Sequence, residues 1–185
     1  MFIKGKGPYQ TELKNGNLLA CSETSFDIIK LGKTSYDILQ TISIGDNVTN
    51  TIELSNGCLV NEHFHTIYFY KKIDEKYSKD HQLSIEGNNI FIIEGKPNEL
   101  IFYGYKKTDS EDQKLNFYVY ESKKIAKTLI INEPESSIVV KLSKNVIAFA
   151  TCDEKAYSIV LIDFIKREII KKIEIFEKIN DKNEL

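Results

Sequence analysis

Two stretches of the chain, TELKNGNLLACS (Thr11–Ser22) and TIELSNGCLVNE (Thr51–Glu62), share one pattern. Their Asn-Gly pairs, Asn15-Gly16 and Asn56-Gly57, lie 41 residues apart. Asn-Gly between two apolar runs is the strongest short-range hairpin signal, and it predicts a turn in which both central residues have positive φ. Each stretch is therefore predicted to fold as strand, tight turn and strand, within a repeat of about 40 residues.

Two further copies follow by register. KPNELIFYGY (Lys96–Tyr105) and KLSKNVIAFATCDE (Lys141–Glu154) each supply a turn and a second strand. Leu142 follows Leu54 by 88 residues, which is two repeats of 44. Asn145 stands in the fourth copy where the first two copies have glycine, so a different turn type is expected there.

Each copy continues with a third and a fourth strand, rich in the β-branched and aromatic residues that suit a pleated sheet. The third strands begin at Ser25, Thr66, Asn116 and Ser158, and the fourth strands at Asp37, Asp80, Ile125 and Glu168. The pattern predicts one all-β, propeller-like domain of about four blades, each a four-stranded antiparallel sheet. The approximate blades are 9–45, 48–87, 88–132 and 136–176, followed by a tail at 177–185.

The second strands carry nearly continuous apolar runs at Leu18–Cys21, Leu100–Tyr103 and Val146–Ala150. Continuous rather than alternating runs indicate strands that are covered on both faces, as in sheets stacked on one another. One segment permits a second interpretation, because Ile165, Ile169, Ile173 and Phe176 also share one helical face. The repeat register favours a strand through Phe176, and both interpretations stay open for 166–185.

The region entering the third strand resembles a known family. Ser22–Ile29 is similar to the Ser-Asp-x-Thr-Ile-x-Ile-Trp motif of WD-repeat propellers, with Glu23 at the aspartate position. Thr66–Tyr70 and Asn116–Tyr120 resemble the second half of that motif. The chain has no tryptophan and no Gly-His pair opening a copy, so the family's buried Asp-His-Ser/Thr-Trp network cannot be transferred to it. The resemblance implies a rigid disc used for protein–protein contact, without chemistry of its own.

The blade count raises the question of ring closure. Rings of this family usually have seven blades and need about 300 residues at about 40–45 residues per blade. A chain of 185 residues has room for about four. It either closes as a small ring or forms an open arc, whose exposed blade faces favour pairing with another chain. A further alternative is an incomplete propeller fragment that self-associates, so that a second chain supplies the missing blades.

The turn between the second and third strands of each copy is the predicted interaction surface, because loops at one face of a propeller commonly bind partners. Its candidate residues are Glu23, His63, Phe64, His65 and Asp153. The sequence indicates a protein partner without identifying it.

A metal site is the alternative for part of this surface. His63 and His65 are separated by one residue, and on a strand they would point to the same side and could reach one ion. A metal-assisted hydrolase on a propeller scaffold is therefore the second function considered. A solvated turn is the favoured interpretation, since no third ligand lies nearby and His81 belongs to another segment. We accordingly predict no metal, no cofactor and no enzymatic activity.

The cysteines and aromatic residues are predicted to pack in the core. Cys21 and Cys152 occupy matching places in their copies, which favours a small buried thiol at a blade interface over a nucleophile. The aromatic residues at strand spacing resemble a stacking platform but are more often core and cross-strand pairs. They are Tyr68, Phe69, Tyr70, Phe117, Tyr118 and Tyr120.

Composition limits the remaining classes of function. The formal net charge is −2, and Arg167 is the only arginine, which argues against nucleic-acid binding. The N-terminal residues MFIKGKGPYQ (1–10) contain no apolar stretch of the length of a signal peptide or a membrane span. We therefore expect a cytoplasmic protein that binds neither nucleic acid nor membrane.

Overall fold

A computed structural model of the chain describes residues 10–22, 24–45, 50–85, 88–105, 113–131, 136–152 and 156–177. Within them the protein is all-β. Sixteen strands form four four-stranded antiparallel sheets, and each sheet is built from four consecutive strands in chain order. The predicted fold class is confirmed.

The first two sheets span Gln10–Ser43 and Asn50–Ser84. The strands of the first sheet are β1 (Gln10–Glu12), β2 (Leu18–Cys21), β3 (Ser25–Leu31) and β4 (Tyr36–Ser43). Those of the second are β5 (Asn50–Glu53), β6 (Leu59–His63), β7 (Thr66–Ile73) and β8 (Lys76–Ser84).

The third and fourth sheets span Asn88–Ile131 and Ser136–Glu177. The strands of the third sheet are β9 (Asn88–Glu94), β10 (Glu99–Tyr105), β11 (Gln113–Val119) and β12 (Lys124–Ile131). Those of the fourth are β13 (Ser136–Lys141), β14 (Val146–Cys152), β15 (Ala156–Asp163) and β16 (Glu168–Glu177).

Within the segment that permitted a helix, Glu168–Glu177 is a strand, and 178–185 lie outside the described residues. β16 pairs with β15 from Asp163 opposite Glu168 to Ala156 opposite Glu177. The backbone groups on one side of this strand are thus paired with β15. Two register shifts interrupt the pairing, and Ile169 and Ile173, which would share a helical face, pair with Ile162 and Ile159 on opposite faces of the sheet.

The Asn-Gly hairpins differ from the predicted turn. Gly16 and Gly57 have φ of +80° and +81°, but neither Asn15 nor Asn56 has positive φ. The N–H of Gly16 donates to the carbonyl of Leu13 at 2.8 Å, so the loop has three residues and only its last one is left-handed. The asparagine has another role, since Oδ1 of Asn15 accepts the N–H of the residue two positions later at 3.0 Å.

The third and fourth copies vary this turn. In the third copy Asn98 takes the left-handed place of the glycine, with φ of 62°. In the fourth copy Asn145 has no positive φ, and its N–H donates to Oγ of Ser143 at 3.2 Å. The expectation of a different turn type in the fourth copy is confirmed.

The core consists of three apolar junctions between successive sheets. Leu13, Leu19, Phe26 and Ile28 of the first sheet pack with Leu59, Tyr70 and Tyr77 of the second. Leu54, Val60, Ile67 and Phe69 of the second pack with Ile92, Leu100, Phe102 and Tyr118 of the third. Ile101, Tyr103, Leu115 and Phe117 of the third pack with Ile147, Phe149, Val160 and Ile162 of the fourth. In the part of the chain that the structure describes, no apolar cluster joins the fourth sheet to the first, so the sheets form an open stack.

The second strands show how far each sheet is covered. Leu100–Tyr103 of β10 is buried throughout, which confirms the prediction of two covered faces for that strand. Among the described side chains of β14, Ile147 and Phe149 are buried, whereas Ala148 and Ala150 are partly exposed. The same prediction is wrong for β14, because the third sheet packs on one of its faces and the other face stays open.

Candidate interaction surface

In the second sheet β6 pairs antiparallel with β7, so the turn between them lies at one end of that sheet. Two of the predicted residues, Glu23 and Asp153, lie outside the residues that the structure describes. The other three form the tight connection between β6 and β7, where His63 pairs with Thr66. Phe64 and His65 are the two loop residues.

Phe64 is the most prominent side chain of this turn. Its φ of 50° lies in the left-handed region, which few large residues adopt. The ring is 52% exposed and packs edge-on against the ring of His63, with 4.6 Å between centroids. The turn therefore presents an aromatic side chain to solvent in a fixed backbone conformation.

The two histidines do not have the arrangement that a metal site on a strand requires. His63 is the last residue of β6, and His65 belongs to the turn, so they do not share one face of a strand. The His65 carbonyl accepts the N–H of Ile85 at 2.7 Å, which ties the turn to the end of β8. Among the described residues no group of three or more His, Cys, Asp or Glu side chains could hold a metal ion.

A cleft of about 410 Å³ opens beside this turn, between the outer strands of the first and second sheets. Its lining consists of Gln40, Thr41, Ile42, Ser43 and Ile44 on one side and Tyr68, Tyr70, Tyr77 and Lys79 on the other. The rings of Tyr68 and His63 lie 6.3 Å apart, and a Cβ built on Gly45 would lie 3.7 Å from Cε1 of His63. The cleft thus ends at the turn that carries Phe64.

Aromatic side chains and one cation give the cleft its chemical character. Tyr70 and Tyr77 are buried, and burial raises the pKa of each to about 12, so both are neutral phenols at physiological pH. Lys79 is the one charged residue of the lining. Its Nζ lies 4.5 Å from the centroid of the Tyr68 ring and donates to Oε1 of Gln82 at 2.6 Å.

The side chain of Gln40, from the first sheet, joins the two walls of this cleft. Oε1 of Gln40 accepts the N–H of Tyr77, and its Nε2 donates to the carbonyl of the same residue, each at 2.7 Å. The amide replaces a neighbouring strand at that point of β8. The two walls of the cleft are therefore joined by a bidentate hydrogen bond.

The sequence predicted the turn but not the cleft. Tyr68 and Tyr70 were expected to contribute to the core, and Gln40 and Lys79 gave no signal because each is an ordinary polar residue of an outer strand. The aromatic residues at strand spacing are indeed largely core, since Phe69, Tyr70, Phe117 and Tyr118 are buried.

A second polar cluster, made by Asp80, His81 and Tyr118, lies between the second and third sheets. The carboxylate of Asp80 can only accept, so Nδ1 of His81 donates to Oδ2 of Asp80 at 2.6 Å. Nε2 of His81 and the hydroxyl of Tyr118 share a hydrogen bond, also at 2.6 Å. The imidazole stacks on Phe69 with 4.2 Å between ring centroids. This Asp-His-Tyr cluster connects the two sheets and lies apart from the Phe64 turn.

The cysteines whose side chains the structure describes are packing residues. Cys21 is buried in the first junction, 3.8 Å from Oγ1 of Thr51, as predicted. Cys58 is buried in the second junction, and desolvation raises its pKa to about 11, so the thiol is protonated at neutral pH. The side chain of Cys152 lies outside the described part.

Three searches place the chain among known proteins by fold alone. No family model matches the sequence, and no curated protein matches it. No helix in the described ranges is long and apolar enough to cross a membrane.

Solved structures match the whole stack of sheets. The Dos1 propeller aligns with a TM-score of 0.65 at 6% identity, over 90% of this chain and 51% of that one. A chain of the mitotic checkpoint complex aligns at 0.67 and 11% identity, over 89% and 51%. Hydrazine synthase of Kuenenia stuttgartiensis aligns at 0.67 and 12% identity, over 90% and 53%. The chain is thus β-propeller-like and spans about half the length of the structures it matches.

Proposed function

We propose that the chain is a non-catalytic protein-interaction scaffold of WD-repeat-like type. The observation that carries this proposal is Phe64, an exposed aromatic residue held in a left-handed turn beside a cleft. Exposed aromatic residues next to a pocket are typical anchors of protein interfaces. The propeller-like fold supports the proposal, since propellers among the matched structures include a component of the mitotic checkpoint complex.

The lining of the cleft indicates what such a partner presents. Three tyrosines and two isoleucines line it together with polar side chains, and Lys79 supplies the one charge among the described residues of the lining. An extended segment with an apolar residue next to an acidic one would complement this surface. Its apolar side chain would pack beside Phe64 and Tyr68, and its carboxylate would pair with the Lys79 ammonium.

A peptide-display selection against the purified chain tests the proposal. We expect selected peptides to contain an apolar-acidic pair and to lose about tenfold or more in affinity with Phe64→Ala or Lys79→Ala. The matched control is Ile73→Ala, since Ile73 is 54% exposed and lies at the opposite end of β7. Peptides whose affinity is unchanged by the first two variants would remove the assignment of this surface.

The absence of catalysis is a separate part of the proposal. Metal content of tag-free protein and a hydrolase substrate panel test it directly. Stoichiometric metal, or turnover that disappears in a His63→Ala/His65→Ala variant, would overturn it. A cytoplasmic location is proposed with it, and fractionation of cells expressing the tagged protein tests that part.

A further inference from the structure

The fourth sheet leaves one apolar face uncovered. Strand register places Val140, Ala148, Leu161, Ala150, Ile159 and Ile173 on the same face. The third sheet covers the opposite face, at Ile147, Phe149, Val160 and Ile162. On the open face the side chains of Val140 and Ile173 are exposed, and the others are partly exposed.

The repeat shows what this face is equivalent to. Counting six residues from the start of each turn, Ala148 of the fourth sheet corresponds to Ile101 of the third. Ile101 belongs to the face by which the third sheet packs on the fourth. The uncovered face is therefore equivalent to the face with which each of the first three sheets packs against the next sheet in the chain.

The exposure of the leucine at the start of the turn depends on whether another sheet packs on it. Leu13 and Leu54 begin the turns of the first and second copies, and they are 2% and 0% exposed because the next sheet packs on them. Leu142 begins the turn of the fourth copy and is 58% exposed. A leucine in the same place of the repeat lies in solvent where the stack ends.

A repeated hydrogen bond also connects the first and second turns to the sheets that follow them, whereas at the third junction Lys141 stands in the place of the acceptor and donates from Nζ to the carbonyls of Glu94 and Gly95. The N–H of Lys14 donates to Oε2 of Glu53 at 2.7 Å. One repeat later Ser55 donates its N–H and its hydroxyl to the carboxylate of Glu94, at 2.6 and 3.0 Å. We call this contact the carboxylate clasp. Its acceptor is the last residue of the first strand in the following sheet. Its donor lies at the start of the turn in the preceding sheet.

Both ends of the stack carry residues that match the two halves of this clasp. Glu12 ends β1 and precedes Glu53 by 41 residues, yet it makes no hydrogen bond or ion pair to another described residue. Ser143 follows Ser55 by 88 residues and is exposed in the last turn beside Lys144. Its N–H donates to the carbonyl of Val146 at 3.2 Å, so its hydroxyl is the group that matches the donor of the clasp. The first sheet also exposes apolar side chains on its outer face, at Leu31, Tyr36 and Ile38, although Ala20 and Ile29 of that face are buried.

We propose that a second copy of this chain covers the open face, head to tail. The fourth sheet of each copy packs on the first sheet of the other, and Ser143 donates to Glu12 across each junction. Because four sheets align with about half of the Dos1 propeller, a twofold axis through the ring centre would bring two copies into one eight-sheet ring. Lys144, next to Ser143 in the last turn, supplies charge complementary to that of Glu12.

Light scattering after size-exclusion chromatography tests the assembly. We expect the wild-type chain at twice the mass of one chain, which is 21.3 kDa. Leu142→Glu and Glu12→Lys should each raise the dissociation constant of the dimer by about 100-fold or more, because each places an unfavourable charge in a junction. The matched control is Ile130→Glu on the outer strand of the third sheet, where a similarly exposed residue, at 54%, should be replaceable without effect.

Mixing the two variants identifies the arrangement. In a head-to-tail ring, each Leu142→Glu or Glu12→Lys homodimer has two damaged junctions, whereas the mixed dimer keeps one intact junction. We therefore expect an equimolar mixture to recover dimer that neither variant forms alone. Ile173→Glu repeats the test on the open face, and circular dichroism verifies that each variant is folded.

Several outcomes would overturn the proposal. A wild-type chain that stays monomeric at its highest soluble concentration excludes the second copy as the occupant. Assemblies that grow with concentration exclude closure at two copies, since a rotation that does not close gives filaments. A dimer that resists Glu12→Lys but not Leu142→Glu is a face-to-face pair instead. None of these results depends on the Phe64 surface.

Discussion

At the residue scale, the single arginine of the chain connects two sheets. Arg167, in the turn between β15 and β16, donates from Nε to Oε2 of Glu99 at 3.1 Å and from Nη2 to the same oxygen. Glu99 is buried, and its second carboxylate oxygen has no hydrogen-bond partner. The pair therefore depends on one guanidinium group to neutralise a buried charge.

Arg167→Ala should lower the free energy of unfolding by about 3–5 kcal/mol, because it leaves the buried Glu99 carboxylate without its counter-ion. Urea denaturation measures the change. The neighbouring Lys166→Ala is the control, since its ion pair with Glu168 is exposed and is worth at most about 1 kcal/mol. The double variant Glu99→Gln/Arg167→Ala should recover part of the loss. Equal effects of Arg167→Ala and Lys166→Ala would show that the buried ion pair makes no extra contribution to the free energy of unfolding.

Asp80 gives the protein an acid-sensitive contact. The hydrogen bond from His81 lowers the pKa of Asp80, burial opposes this shift, and Lys123 and Tyr120 reinforce it. Because the pKa in the folded state is lower than in the unfolded chain, the stabilisation is fully present above the unfolded value of about 3.9 and is lost as pH falls through the folded value.

Asp80→Asn should therefore lower the melting temperature at neutral pH and flatten its decline in acid. Thermal melts from neutral to strongly acidic pH measure both effects. Asp74→Asn is the control, since Asp74 is an exposed turn residue for which the structure shows no such hydrogen-bonded cluster. Parallel acid limbs of the wild type and Asp80→Asn would contradict the assignment of this sensitivity to Asp80.

At the element scale, the hairpin with two left-handed residues is not at an Asn-Gly pair. It connects β7 to β8, where Asp74 and Glu75 have φ of 47° and 66° and Ile73 pairs with Lys76. Two positive φ values in a two-residue loop define the geometry that Asn-Gly favours. The chain therefore has the strained pair Asp74-Glu75 at a turn that Asn-Gly would form without strain.

Asp74→Asn/Glu75→Gly should raise the free energy of unfolding by about 1 kcal/mol, because it removes left-handed strain from a non-glycine residue. The Lys72–Glu75 ion pair that is lost is exposed and contributes little. The opposite change is Gly16→Ala, where a Cβ meets nothing within 4 Å, so any loss comes from φ alone. Chemical denaturation should show a higher free energy of unfolding for Asp74→Asn/Glu75→Gly and a lower one for Gly16→Ala. A lower value for the double variant would contradict the strain argument.

At the scale of the whole molecule, the local stability of each sheet depends on whether neighbouring sheets cover its two faces. A stack of sheets behaves as a one-dimensional array in which each member is stabilised by its neighbours. The third sheet has apolar neighbours on both faces, whereas the fourth has one. The open face of the fourth sheet therefore lacks the support that a neighbouring sheet gives.

Hydrogen exchange should therefore be slowest in β10 and β11 of the third sheet and faster in β14 and β15 of the fourth. The proposed dimer adds protection to the fourth sheet, which the folded Leu142→Glu variant should lose while the third sheet stays unchanged. Mass spectrometry of amide exchange in both proteins measures the difference. Equal protection of the two sheets in the Leu142→Glu variant would contradict the array description.

Local patterns in the sequence determined the strands and their grouping. Asn-Gly pairs at a step of 41 residues, together with β-branched and aromatic runs, gave four units of four strands, because hairpins form between neighbours in sequence. The Phe64 turn was predicted for the same reason. The glycine turn geometry was wrong in detail, since loop length and not residue type decides how many residues are left-handed.

Only the tertiary structure decided which faces are covered. The cleft at Lys79, the Asp80–His81–Tyr118 cluster, the Glu99–Arg167 pair and the carboxylate clasp join residues of different sheets, and the hydrogen bonds between those sheets span 37 to 68 positions. Such contacts depend on how sheets stack, and no local pattern encodes the distance between two sheets. A leucine at the start of a turn has the same sequence signature at positions 13, 54 and 142, and only the presence of a following sheet buries it.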